Sequence, residues 1–121
     1  METMRAYWHD CGVGPGSDAP VDVTLIQAKN IWSDCSPVEG NFLGLIDSLG
    51  RTIQFCFTDG VPDHMEDARH LKIVLLDFPI PEKSGSYSRQ VSIGEVHKLI
   101  DLAFNAAADH LSFPGVNFVP W

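Results

Sequence analysis

Residues 40–57, Gly-Asn-Phe-Leu-Gly-Leu-Ile-Asp-Ser-Leu-Gly-Arg-Thr-Ile-Gln-Phe-Cys-Phe, leave this chain little choice about its centre. Two apolar, β-prone runs flank Asp47-Ser48-Leu49-Gly50, which folds them back on each other as an antiparallel hairpin. The turn fits a type I turn followed by Gly50 in the left-handed conformation, the three-residue loop with a G1 bulge. Pairing Asp47 with Arg51 sets Leu45 across from Ile53 and Leu43 across from Phe55, and Phe57 extends a fully apolar face. The other face carries Phe42, Gly44, Ile46, Thr52, Gln54 and Cys56. A slip of one residue would instead group Phe42, Ile46, Ile53 and Phe55, and the sequence leaves both registers open. In either register one face is core and the other is half polar and partly covered. Gly44 leaves a gap between Phe42 and Ile46, so Gly44, Thr52 and Gln54 mark the candidate seat for a small ligand.

The remaining elements follow from local pattern. Met4 to His9 alternates loosely and reads as a strand, and the glycines and prolines of residues 11–20 read as a loop. That loop lacks the Lys-Ser/Thr ending of a phosphate loop. From Val21 to Cys35 the apolar residues keep one helical face, with Pro20 suited to the first turn; a strand over residues 23–26 is the competing assignment. Ser36-Pro37 ends either. Residues 59–69 form an acidic loop with a short helical turn. Residues 71–78 are a strand that Pro79 and Pro81 stop or place on an edge. Residues 82–86 form a flexible connection to a returning strand over 87–91. Ser92 with Glu95 is a capping box, and Ile93, Val96, Leu99, Ile100, Ala103, Phe104 and Ala107 make the apolar stripe of the helix behind it. The apolar tail from Leu111 to Trp121 docks on the body.

These elements predict a single α+β domain over residues 1–121. It has two layers, with a mostly antiparallel sheet of about five strands and one or two helices packed on one face. A small mixed barrel plugged by the helix is the alternative. With 121 residues the chain buries roughly two-thirds of its unfolded surface, so no metal or disulfide staple is needed.

Charge and cysteine content narrow the function. Eight basic against sixteen acidic residues give a net charge of -8, which disfavours binding to nucleic acid. No apolar run approaches the length of a membrane span. Three unpaired-looking cysteines and a charged start without a signal sequence point to a cytoplasmic protein. No catalytic constellation, metal site or cofactor motif stands out. The sharpest exception is His9-Asp10-Cys11, where a small metal- or Cys/His-dependent enzyme would be built. Consecutive residues of an extended chain point to opposite sides, which argues against a shared ion. His64 and His70 would not share a helical face, and His97 is expected at the surface.

The order of a helix, then Asn-Phe-Leu-Gly-Leu-Ile-Asp with Gly-Arg-Thr-Ile-Gln-Phe, then Phe-Pro-Ile-Pro, then Gly-Ser-Tyr before a capped helix, resembles small bacterial immunity proteins of polymorphic toxin systems. The resemblance covers residues 20–105 as an arrangement. It implies a non-enzymatic protein that binds and blocks a toxin, with an acidic surface facing a basic partner. The expected partner-binding residues are Asp59, Asp63, Glu66 and Asp67, with Trp8 and Trp121 as aromatic anchors.

Overall fold

The computed structural model describes residues 2–58 and 73–121. In chain order the elements are β1 (Thr3–His9), β2 (Val21–Thr24), α1 (Leu25–Asp34), β3 (Phe42–Ile46), β4 (Thr52–Thr58), β5 (Ile73–Ile80), β6 (Gly85–Val91), α2 (Val96–Ala106) and β7 (Asn117–Pro120). The strands form one antiparallel sheet in the order β2-β1-β3-β4-β5-β6-β7. Among the described residues the sheet therefore has seven strands instead of about five, and it is open at both ends, unlike a barrel. The two additional strands, β2 and β7, are its edges.

Thr24 explains the first of them. The chain enters as a strand paired with β1, and Thr24 then caps a helix. Its hydroxyl accepts from the Gln27 amide at 3.2 Å, and the Gln27 side chain accepts from the Thr24 amide at 2.9 Å. This reciprocal capping box satisfies two donors that a helix start leaves unpaired. Strand and helix thus follow one another where a single element was expected, and Pro20 precedes β2 instead of opening the helix. The other edge, β7, comes from a tail whose four strand residues are all exposed, so no burial pattern announces it.

Hairpin pairing follows the Asp47–Arg51 register: Leu43 faces Phe55 and Leu45 faces Ile53. Cross-strand pairing carries this apolar face to Leu76, Val74 and Phe78 on β5 and to Ala6 and Met4 on β1. Both helices cover it. Trp32 of α1 stacks on Phe57 at 4.3 Å between ring centres, and Phe113 of the tail meets Phe78 at 4.9 Å. Val96, Leu99, Ile100, Ala103 and Phe104 of α2 are buried in the same core. The ends of the predicted stripe fall outside that face. Ile93 lies in a 3₁₀ turn and is 40% exposed, while Ala107 leaves the helix with φ 62.

β5 is a central strand, yet it tolerates Pro79 because its pairing with β4 stops at Asp77. Beyond that point only β6 flanks it, so the missing N–H sits on a local edge. The connection expected to be flexible is a 3₁₀ turn over Pro81–Lys83, with Ser84 left-handed at φ 50 and Ser86 buried in β6.

Asp47 ties these parts together. Its carboxylate, in a residue only 4% exposed, accepts from the amides of Leu49 and Arg51 and from Arg51 Nε at 2.9, 2.9 and 2.8 Å. A fourth donor, the Ala108 amide just past α2, approaches at 3.1 Å. Burial alone would raise its pKa, but the bonds from Arg51, Ala108 and Leu49 outweigh it and hold the carboxyl below its ordinary value. Because the folded pKa is lowered, the stabilisation is complete above the ordinary value of 3.8 and is lost as pH falls through the lower folded one. We expect Asp47→Asn to lose about 2 kcal/mol of unfolding free energy at pH 7. Its deficit relative to wild type should shrink in strong acid, as measured by urea unfolding across pH. An equal midpoint at pH 7 would contradict the role given to this carboxylate.

Candidate functional site

Of the residues predicted to bind a partner, Trp8 and Trp121 fall among the described ones, on different parts of the sheet. Asp59, Asp63, Glu66 and Asp67, with His64 and His70, lie outside the described residues. Trp8 is on β1, and Trp121 follows β7 at the far end of the sheet. Five strand spacings put the two about 24 Å apart, so they do not form one cluster. Trp121 is 71% exposed, with its indole N–H donating to Ser86 Oγ at 2.9 Å. Trp8 is half-buried against the core. Tyr7, Trp32 and Phe113 are buried.

Gly44, Thr52 and Gln54 do share the sheet face opposite the helices, but the gap is filled. A methyl group at Gly44 would come within 2.3 Å of the Tyr7 ring, which lies directly over it. Gln54 Nε2 donates to the Tyr7 hydroxyl at 2.8 Å. In register beyond Gln54 come Asp77 and then Ser88, making a polar row across three strands. Burial pushes Tyr7 up to about 12, and burial with the nearby Asp77 charge pushes Cys56 up to about 12. Burial also raises Asp77, partly offset by a hydrogen bond from Ser86. These shifts keep the phenol and thiol protonated near neutrality, so the row supplies no nucleophile there. Cys56 is half-buried on this face and stands apart from the main core.

His9, Asp10 and Cys11 also diverge. His9 Nε2 accepts from the Gly12 amide at 3.2 Å, while its ring stacks on Phe42. Asp10 Oδ1 accepts from the Ser36 amide and from Asn41 Nδ2 at 3.2 and 3.1 Å. The Cys11 amide donates to Asn41 Oδ1 at 2.9 Å. Together they clasp the first loop to the segment after α1. Among the described residues no three His, Cys, Asp or Glu side chains converge to hold a metal ion. A pair that the sequence gave no reason to join is Ser33 and His97, whose Oγ and Nε2 are 3.1 Å apart across α1 and α2. Both are exposed, and Asp101, one turn beyond His97, is engaged by Lys29 at 2.7 Å. The dyad therefore lacks that carboxylate as an orienting partner.

The arrangement best suited to binding lies at the β2 edge. Among the described residues β2 pairs with β1 alone, and α1 leaves directly from its end and passes alongside. Gln27, Asn30, Ile31 and Asp34 recur at helical spacing, so one stripe of α1 faces the strand edge. With Trp8, Val21, Asp22 and Val23 they line an open groove of about 380 Å³. Its apolar surface comes from Trp8, Val21 and Ile31 and a carboxylate from Asp34, while Asp22, between Val21 and Val23 on the edge strand, turns its side chain to the other sheet face. Arg5 sits opposite Asp22 in the β1–β2 register. The glycine-rich loop props this groove from behind. A methyl group at Gly14 would meet the Trp8 carbonyl at 2.5 Å and its indole at 2.7 Å, and the Trp8 amide donates to Pro15 O at 3.1 Å. Gly14, at φ 127, combines close approach with a backbone that favours glycine.

Compared with family models, curated proteins and solved structures, the chain matches none. No helix among the described residues is long and apolar enough to cross a membrane. For the opposite face the geometry gives a direct expectation. Gly44→Ala must displace the Tyr7 ring and should cost about 1–3 kcal/mol, as overpacking does. Thermal unfolding with near-ultraviolet circular dichroism checks this, and an unchanged tyrosine signal would mean that the ring does not rest on Gly44.

Proposed function

We propose that this protein is a non-enzymatic binding module that holds a basic segment of another protein in the groove between β2 and α1. The observation that supports this reading is the joining of an apolar floor with the Asp34 carboxylate, and with Asp22 on the adjacent strand, at a sheet flank that has no further strand among the described residues. An aromatic floor supplies contact area, and rim carboxylates select and steer a cationic partner. The net charge of -8 acts in the same direction over longer range. Neutralisation of a basic toxin domain, as in the immunity proteins whose arrangement the chain resembles, is the most concrete form of this function. Trp8 is then the anchor of the site.

The test is calorimetric titration with basic protein domains, beginning with any encoded beside this chain. Wild type should bind one basic domain with an affinity that falls steeply with salt. The Asp22→Asn/Asp34→Asn pair should weaken binding at low salt about tenfold and flatten the salt dependence. Trp8→Ala, checked for retained fold, should weaken binding at every salt concentration. Unchanged affinity in both variants would remove the groove from the interaction.

A further inference from the structure

Beside the groove, the clasp between the first loop and the end of α1 brings two of the three thiols into one small network. Cys35 Sγ lies 3.7 Å from the carbonyl oxygen of His9, and the next residue, Ser36, bonds Asp10 through its amide. Cys11 follows directly. Its Sγ is 3.6 Å from Asn41 Nδ2, and that same amide nitrogen donates to Ser36 O at 2.8 Å. Residues 35–36 and 9–11 thus run side by side, joined through the buried Asn41. The two sulfur contacts are weak, so either side chain can turn without breaking the backbone bonds that hold the segments together.

We propose that Cys11 and Cys35 are a redox pair that closes to an intramolecular disulfide when the protein meets a low-molecular-weight disulfide. The two thiols differ in a way that sets the order of events. Cys11 is exposed on the loop, with a left-handed backbone at φ 52, whereas Cys35 is buried. Burial, then the Asp10 and Cys11 charges, push the Cys35 thiol up to about 11, so Cys35 is the poorer first nucleophile. The Cys11 thiolate attacks one sulfur of glutathione disulfide, forming a mixed disulfide and releasing one glutathione thiolate. Cys35 then gives up its proton and attacks Cys11 Sγ, and the second glutathione thiolate leaves. Two protein thiols are oxidised and one glutathione disulfide is reduced to two glutathiones. Cys56, on the opposite sheet face, takes no part.

The test is incubation of the full chain with excess glutathione disulfide, followed by thiol counting and intact-mass analysis under non-reducing conditions. The three thiols present in the sequence should fall to one, with a mass lower by two hydrogens and no glutathione attached. Peptide mapping should join residue 11 to residue 35. Cys35→Ser should stop at a glutathione adduct on Cys11, and Cys56→Ser should oxidise as wild type does. A stable Cys11 adduct in the wild-type protein would overturn the proposal. So would a bond to Cys56, a disulfide between two chains, or three thiols that stay free while Cys35→Ser retains its fold.

Discussion

A buried carboxylate with four donors is the constraint on which this architecture rests. Asp47 begins the turn of the central hairpin and also receives the first amide beyond the α2 exit. Removing an ionised carboxylate from water is unfavourable unless its lone pairs are met, and here three N–H groups of the turn and one from the helix end meet them. The turn cannot slip its register without losing those bonds. α2 is fixed at its end by the same oxygen atoms, and its packing against α1 carries that constraint toward the groove.

How much of this was legible depends on the range of the interaction. The hairpin itself was readable because turn chemistry and apolar alternation are both local and agree, while its register stood open between two pairings that only the structure decides. The capped helix behind Ser92 was readable for the same reason. Residues 21–35 were half-read: β-branching and helical spacing each described part of the segment. The Thr24-x-x-Gln27 box is the local signal that divides it. β7 lay hidden because its strand residues are all exposed and it ends at Pro120, so it carries neither alternation nor a buried face.

The candidate site shows the same division more sharply. Trp8 stood out by its residue type, but its neighbours Val21, Ile31, Asp22 and Asp34 join it only through the β1–β2 pairing and the path of α1. The missing side chain at Gly44 is a local feature of its strand. What fills that space, Tyr7, arrives through the β1–β3 register, which no local pattern specifies. The glycine-rich loop likewise takes its meaning from contact with Trp8 and not from its resemblance to a phosphate loop. Polar groups on the helix-free face pair among themselves and are shifted toward their neutral forms. The groove at β2 instead brings the exposed Asp34 together with apolar surface from Trp8, Val21 and Ile31.

The most direct test of the Asp47 account is native-state hydrogen exchange at three amides: Leu49, Arg51 and Ala108. If one carboxylate joins the turn to the end of α2, these amides should be protected in the wild-type protein. In Asp47→Asn the Ala108 amide should lose protection together with the two turn amides, although it lies sixty-one residues from Asp47 in the chain. Loss of protection confined to Leu49 and Arg51, with Ala108 unchanged, would show that hairpin and helix are held independently and would contradict the account.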